Sequence, residues 1–128
     1  GVPAHLPSLL KAYRVQQKVS RVGFDWEKAE DIVAKLDEEV AEFKEALASG
    51  EAEGGLDRME DEMGDILFTM VNIARFFGIN AEDALNRTVN KFIDRFRSLE
   101  NDAAALGRKL EDMSPAELDG LWEAAKLR

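Results

Sequence analysis

A chain of 128 residues is one domain by length and can bury roughly two-thirds of its unfolded surface. Its formal charge of −9 argues against a nucleic-acid backbone, which needs a basic face, and against a membrane surface as partner. There is no cysteine, hence no disulfide, thiolate zinc site or cysteine nucleophile, which fits a reducing cytoplasm.

The opening Val2-Pro3-Ala4-His5-Leu6-Pro7 cannot continue a helix, because two prolines interrupt it. With Gly1 in place of methionine, residues 1–7 read as a linker remnant of a longer protein, and 8–128 as the domain. Ser8 is the expected cap of a first helix running to about Val22, with Gly23 ending it. Asp25 is the expected cap of a second, carrying Ile32, Leu36, Val40, Phe43 and Leu47 at three- and four-residue steps. Ser49-Gly50 closes that helix, and Glu51 to Gly55 reads as a loop.

A third helix spans roughly Asp57 to Phe77 and ends at Gly78. Asn80 caps a fourth, with Ala84, Leu85, Val89, Phe92, Phe96 and Leu99 as its apolar stripe. Ser114-Pro115, with Glu117 three residues after the cap, opens a last short helix through Trp122. Strand alternation is absent, so an all-α bundle of four or five helices is expected. The longest apolar run, Ile66 to Val71, is too short to span a bilayer, and no secretory leader pattern opens the chain.

The third helix is apolar over more than half its circumference, through Met59, Met63, Ile66, Leu67, Met70, Val71, Ile73, Ala74 and Phe77. So wide a surface predicts a central helix and a subunit interface, most simply in a homodimer. Its polar strip holds Glu62, Asp65, Thr69 and Asn72. On the second helix, Glu38-Glu39-x-x-Glu42 places further carboxylates along one side, since residues three and four apart are neighbours. Carboxylates gathered from both helices repel unless protons or a cation neutralise them. Oxygen-only ligands suit a hard divalent ion, magnesium or manganese.

Lys91 and Arg95, four apart, read either as a phosphate-facing pair or as surface cations beside Asp94. Trp122 and Lys126 repeat the spacing, and Trp122 reads as a core plug or a stacking platform. The lone histidine, His5, rules out a di-iron bundle built on Glu-x-x-His in its usual form.

These residues together resemble the MazG-type nucleoside triphosphate pyrophosphohydrolases, all-α enzymes related to dimeric dUTPases and phosphoribosyl-ATP pyrophosphatases. The family pattern Glu-Glu-x-x-Glu followed by Glu-x-x-Asp falls on Glu38, Glu39, Glu42, Glu62 and Asp65. Val22 to Trp26, Glu62 to Phe68, Val71 to Arg75, Asn90 to Phe96 and Leu121 to Lys126 are similar to other family segments. The likeness runs from about Leu6 to Lys126 and is closer to the C-terminal domain of two-domain bacterial members. One departure is Asp94, where the family often has an arginine.

The resemblance implies hydrolysis of nucleoside triphosphates to monophosphate and pyrophosphate. Glu39, Glu42, Glu62 and Asp65 would hold the metal, and Glu38 would be a spare carboxylate that orients water. Lys91, Arg95 and Lys126 would face the triphosphate, and Trp122 the base or ribose. Two alternatives stand beside this reading: a non-catalytic nucleotide or metal sensor, and a helical interaction module.

Overall fold

Apolar residues recurring every three or four positions fold this chain into helices. Among the described residues five form: α1 (Ser8–Ser20), α2 (Ala29–Ala48), α3 (Gly55–Phe76), α4 (Ala81–Ala105) and α5 (Pro115–Lys126). A 3-10 turn at Leu110–Asp112, which the sequence did not announce, precedes α5. The structure is a computed structural model describing residues 1–49 and 54–128. The fold is all-α, with no strand among the described residues, and no described helix is long and apolar enough to cross a membrane. The chain divides into two compact units, Gly1–Ala84 and Leu85–Arg128.

Glycine sets three of the helix ends, Gly107 closing α4 at φ +69° as Gly23 and Gly78 close α1 and α3. After α1, Gly23 N–H donates to Ser20 and Phe24 N–H to Val19, with Gly23 at φ +92°. The same pair of bonds follows α3, from Gly78 to Arg75 and from Ile79 to Ala74, with Gly78 at φ +72°. All three are Schellman closures, whose left-handed residue a side chain would strain.

The helix starts depart from expectation in three places. Pro7 takes the cap position of α1, Ser8 lies inside the helix, and no side chain caps it. Asp25 does not cap α2, which starts four residues later at Ala29 behind an uncapped Lys28. The Asp25 carboxylate is instead taken by Trp26 N–H and by Arg75, fifty positions away in sequence. α3 begins at Gly55, two residues before Asp57, so the expected loop is shorter at that end. Gly50, expected to close α2 with Ser49, and residues 51–53 of that expected loop lie outside the described residues. Asn80 does cap α4, its side-chain oxygen accepting from Asp83 N–H at 3.2 Å.

Within unit 1, α3 packs against both α1 and α2. Arg58 pairs with Glu45 at 3.8 Å near the connection, while Glu62 lies beside Glu39 and Glu42 further along, so α2 and α3 run antiparallel. The seam follows a seven-residue rhythm. Ile32, Glu39 and Ala46 are buried on α2; on α3, Gly55 and Thr69 are buried with Glu62 midway between them. Leu47, expected in the core stripe, is 55% exposed, and Ala46 takes its place in the seam. On α3, Val71 is buried, but Met63, Leu67 and Met70 remain 42%, 49% and 48% exposed.

Within unit 2, Leu99, Ala103, Met113 and Ala125 are buried. Phe92 packs on Trp122 with ring centroids 5.0 Å apart and stacks on Phe96 at 6.2 Å. Of the expected α4 stripe, Leu85, Val89, Phe92 and Phe96 are exposed and Leu99 is buried. Ser114 and Glu117 form the expected capping box at the start of α5. The Arg108 guanidinium, with help from Ser114, pulls the Glu117 carboxyl down to about 2. Arg128 donates to Ser98 at 2.8 Å and to Asp102 at 3.0 Å, tying the last helical turn to α4.

Candidate functional site

Antiparallel packing of α2 on α3 brings the two acidic motifs to one place. Glu39, Glu42 and Glu62 each offer an oxygen within 4.8 Å of the others. Glu39 lies on the core side of α2, in line with Ile32 and Ala46, and is only 5% exposed. One oxygen of Glu39 and one of Glu62 are buried with no hydrogen-bond partner. Bare buried carboxylate oxygens are costly, and the usual remedy is a proton or a metal ion. The protein's own remedies are visible. Hydrogen bonding to Glu62, then partial burial and the charge of Glu39, push Glu42 above the ordinary carboxylate range. Lys35 reaches Glu39 at 2.9 Å and Glu38 at 3.4 Å, and these partners raise its own affinity for a proton, Glu39 most of all.

The remaining expected acids lie elsewhere. Glu38 is exposed, one position round the helix from the buried face, and its partner is Lys35. Asp65 is exposed on α3 and is not in the group of three. One helical turn separates it from Glu62, about 4.5 Å along the axis. The donor set is oxygen-only, matching a hard divalent cation. Three carboxylates leave coordination positions for water or substrate.

A second feature of unit 1 had no forecast. A cavity of about 510 Å³ opens between α1, the turn after it and α3. Its apolar wall includes Val15, Val19, Phe24, Trp26 and Phe68, and its polar groups are Gln16, Asp25, Asn72 and Arg75. Gln16 is buried; its amide donates to the Phe68 carbonyl at 2.9 Å, and its own oxygen has no partner. Arg75 grips Asp25 through both terminal nitrogens, at 3.1 and 2.6 Å, and also reaches Asn72 at 3.1 Å. The pairing lowers the Asp25 pKa and raises that of Arg75. An apolar chamber of this size with a few fixed polar groups suits a flat organic ligand. Its sequence signal was faint: Gln16 is a polar residue among the apolar positions of α1, and Asn72 extends the polar strip of α3.

The expected basic residues belong to unit 2. Lys91 is exposed and Arg95 half-buried, and neither is in an ion pair among the described residues. Lys126 sits 3.6 Å from Glu123. Trp122 is half-buried against Phe92, which combines the core-plug reading with an accessible ring edge. His5 is exposed.

A family model described as the MazG nucleotide pyrophosphohydrolase domain matches residues 27–99. That span holds both acidic motifs with Lys91 and Arg95, and leaves out Gln16, Asp25, Trp122 and Lys126. The nucleoside triphosphate pyrophosphohydrolase/pyrophosphatase MazG of Thermotoga maritima is 39% identical over 121 residues, covering 94% of this chain and 45% of that protein. A nucleoside triphosphate pyrophosphohydrolase of Escherichia coli K12 is 34% identical over 125 residues, covering 98% and 47% respectively. The uncharacterized protein YabN of Bacillus subtilis is 47% identical over 68 residues, covering 53% and 14%. The chain therefore spans about half the length of the first two relatives.

Proposed function

Since the chain belongs to the MazG nucleotide pyrophosphohydrolase domain family, we propose that it hydrolyses nucleoside triphosphates between the α and β phosphates. The products are a nucleoside monophosphate and pyrophosphate. The observation that carries this reading is the pair of bare, buried oxygens on Glu39 and Glu62 beside Glu42. Glu39, Glu42 and Glu62, with Asp65 one turn along, would hold magnesium or manganese. A bound divalent cation supplies charge neutralisation and Lewis-acid polarisation to phosphate oxygens. In an acidic protein that charge also offsets the repulsion a triphosphate would otherwise meet.

The chain's own groups do the rest. A water oxygen bonds to the α phosphorus, the bond to the bridging oxygen breaks, and pyrophosphate leaves. Glu38, exposed and outside the three-carboxylate group, with Lys35 at 3.4 Å from one oxygen, is the spare carboxylate assigned to orient the water and take its proton. The apolar chamber of unit 1 would exclude water around the base, with Phe24, Trp26 and Phe68 as its aromatic wall. The family resemblance assigns Lys91, Arg95 and Lys126 to the triphosphate charge, and Trp122 to the base or ribose. Incubation with a mixed nucleoside triphosphate pool and magnesium is expected to release pyrophosphate and monophosphate in equal amounts. Orthophosphate release, or no product at all, would overturn the assignment.

The same reading makes the protein a cytoplasmic homodimer with nucleotide, not nucleic acid or membrane, as its partner. What supports the dimer is the exposure of Met63, Leu67 and Met70 on α3. Sedimentation equilibrium at micromolar concentration is expected to give twice the chain mass, and a stable monomer would remove the dimer from the reading.

A further inference from the structure

Lys35 has a role that its place on α2 does not require. A lysine followed four residues later by a glutamate is the less favourable order for helix stability, because it opposes the helix dipole. An ordinary surface pair also keeps both ends in water, whereas the Glu39 side chain is 7% exposed and that of Lys35 35%. The ammonium engages Oε1 of Glu39 at 2.9 Å, while Oε2 of the same carboxylate is buried and bare. One oxygen is thereby committed and the other left without a partner, on a carboxylate that offers an oxygen within 4.8 Å of one each from Glu42 and Glu62.

We propose that Lys35 is a positioning residue for the metal centre: it fixes the rotation of the Glu39 carboxylate so that Oε2 is the oxygen offered to a divalent cation. The inference rests on the metal-site reading given above. Two effects of Lys35 oppose each other. Its positive charge repels an incoming cation, by an amount worth roughly tenfold in affinity for charges several ångströms apart in a solvated site. Its ion pair, at 2.9 Å, restrains the one deeply buried ligand from swinging away, and loss of such outer partners typically weakens metal sites about 10- to 100-fold. Orientation outweighs repulsion here because the Lys35 ammonium is the one described polar partner of the Glu39 carboxylate.

The sign of the change in metal affinity decides between these effects. Manganese titration of the full chain, read by calorimetry and by the paramagnetic resonance of free ion, compares wild type with Lys35→Met and Lys35→Arg. The expected result is binding about tenfold weaker in Lys35→Met and within about threefold of wild type in Lys35→Arg. Equal melting temperatures of the metal-free proteins would certify that the fold is intact. If one variant melts early, the comparison passes to Lys35→Gln, which keeps a donor and removes the charge and is expected to bind at least as well as Lys35→Met. Unchanged or tighter manganese binding in folded Lys35→Met overturns the positioning role. Failure of wild type itself to bind manganese would sink the metal-site reading instead, and this inference with it.

Discussion

Glu62→Gln is expected to lower pyrophosphate release by at least about a hundredfold, while leaving the metal-free protein as stable as wild type or more so. The two outcomes share one cause. Glu62 places a carboxylate beside Glu42, and together with burial it holds the Glu42 carboxyl above its ordinary 4.5. A carboxyl whose folded pKa is raised binds a proton more tightly in the folded state. Its contribution to stability is therefore present below 4.5 and lost as pH rises through the raised value. The glutamine removes one member of the repelling pair, so that loss should flatten in the variant. Divalent cation should raise the melting temperature of wild type at neutral pH and leave the variant nearly unmoved. Thermal melts with and without magnesium, between pH 4 and 8, read all three effects. A variant that melts well below wild type without metal would make Glu62 a structural partner and remove the strained-cluster argument.

What the sequence disclosed and what it hid divide along physical lines. Glu39, Glu42 and Glu62 were legible because three- and four-residue spacing fixes the face of a helix, and a short connection forces neighbouring helices to pair antiparallel. The depth of Glu39 and Glu62 has a sequence signal as well, less direct: Ile32, Glu39 and Ala46 recur at intervals of seven, as do Gly55, Glu62 and Thr69. Gly23 and Gly78 marked helix ends because a left-handed residue favours the one side chain without a Cβ. Asp25 was misread as a helix cap, since its true partner, Arg75, lies fifty positions away and only tertiary packing brings them together. The cavity was hidden for the same reason: its walls come from α1, a turn and α3, and none of the three is unusual alone. Asp65 shows the limit of spacing arguments from the other side. A one-turn interval put it on the same strip as Glu62, yet three residues correspond to about 300° of rotation, and it comes out exposed and apart from the other three.

Asp25→Ala should cost about 2–3 kcal/mol, because it strands the guanidinium of Arg75, whose side chain is only 12% exposed. The figure sits below that for a fully buried pair because the Asp25 side chain is 32% exposed and water can enter once it is gone. For a unit of this size the melting temperature should fall on the order of 10 °C. Arg75→Met should cost less than Asp25→Ala, since Asp25 is the more exposed partner and water can solvate it. The double variant should recover part of the loss, which a double-mutant cycle would read as coupling between the two sites. The acid limb of stability carries the same signature. Arg75 hydrogen bonds, aided by Trp26 N–H, hold the Asp25 carboxyl below its ordinary 3.8. Its contribution is therefore complete above that value and disappears as pH falls below it, and Asp25→Asn should lose that part of the acid dependence. Function should follow through the cavity wall. The pair fastens the turn carrying Phe24 and Trp26 to α3, so its loss should loosen the chamber assigned to the base. KM should rise severalfold while kcat changes little, because Glu39, Glu42 and Glu62 stand on the α2–α3 seam and not on this turn. A fall in kcat at constant KM would place the pair in the chemistry and take the base away from this chamber.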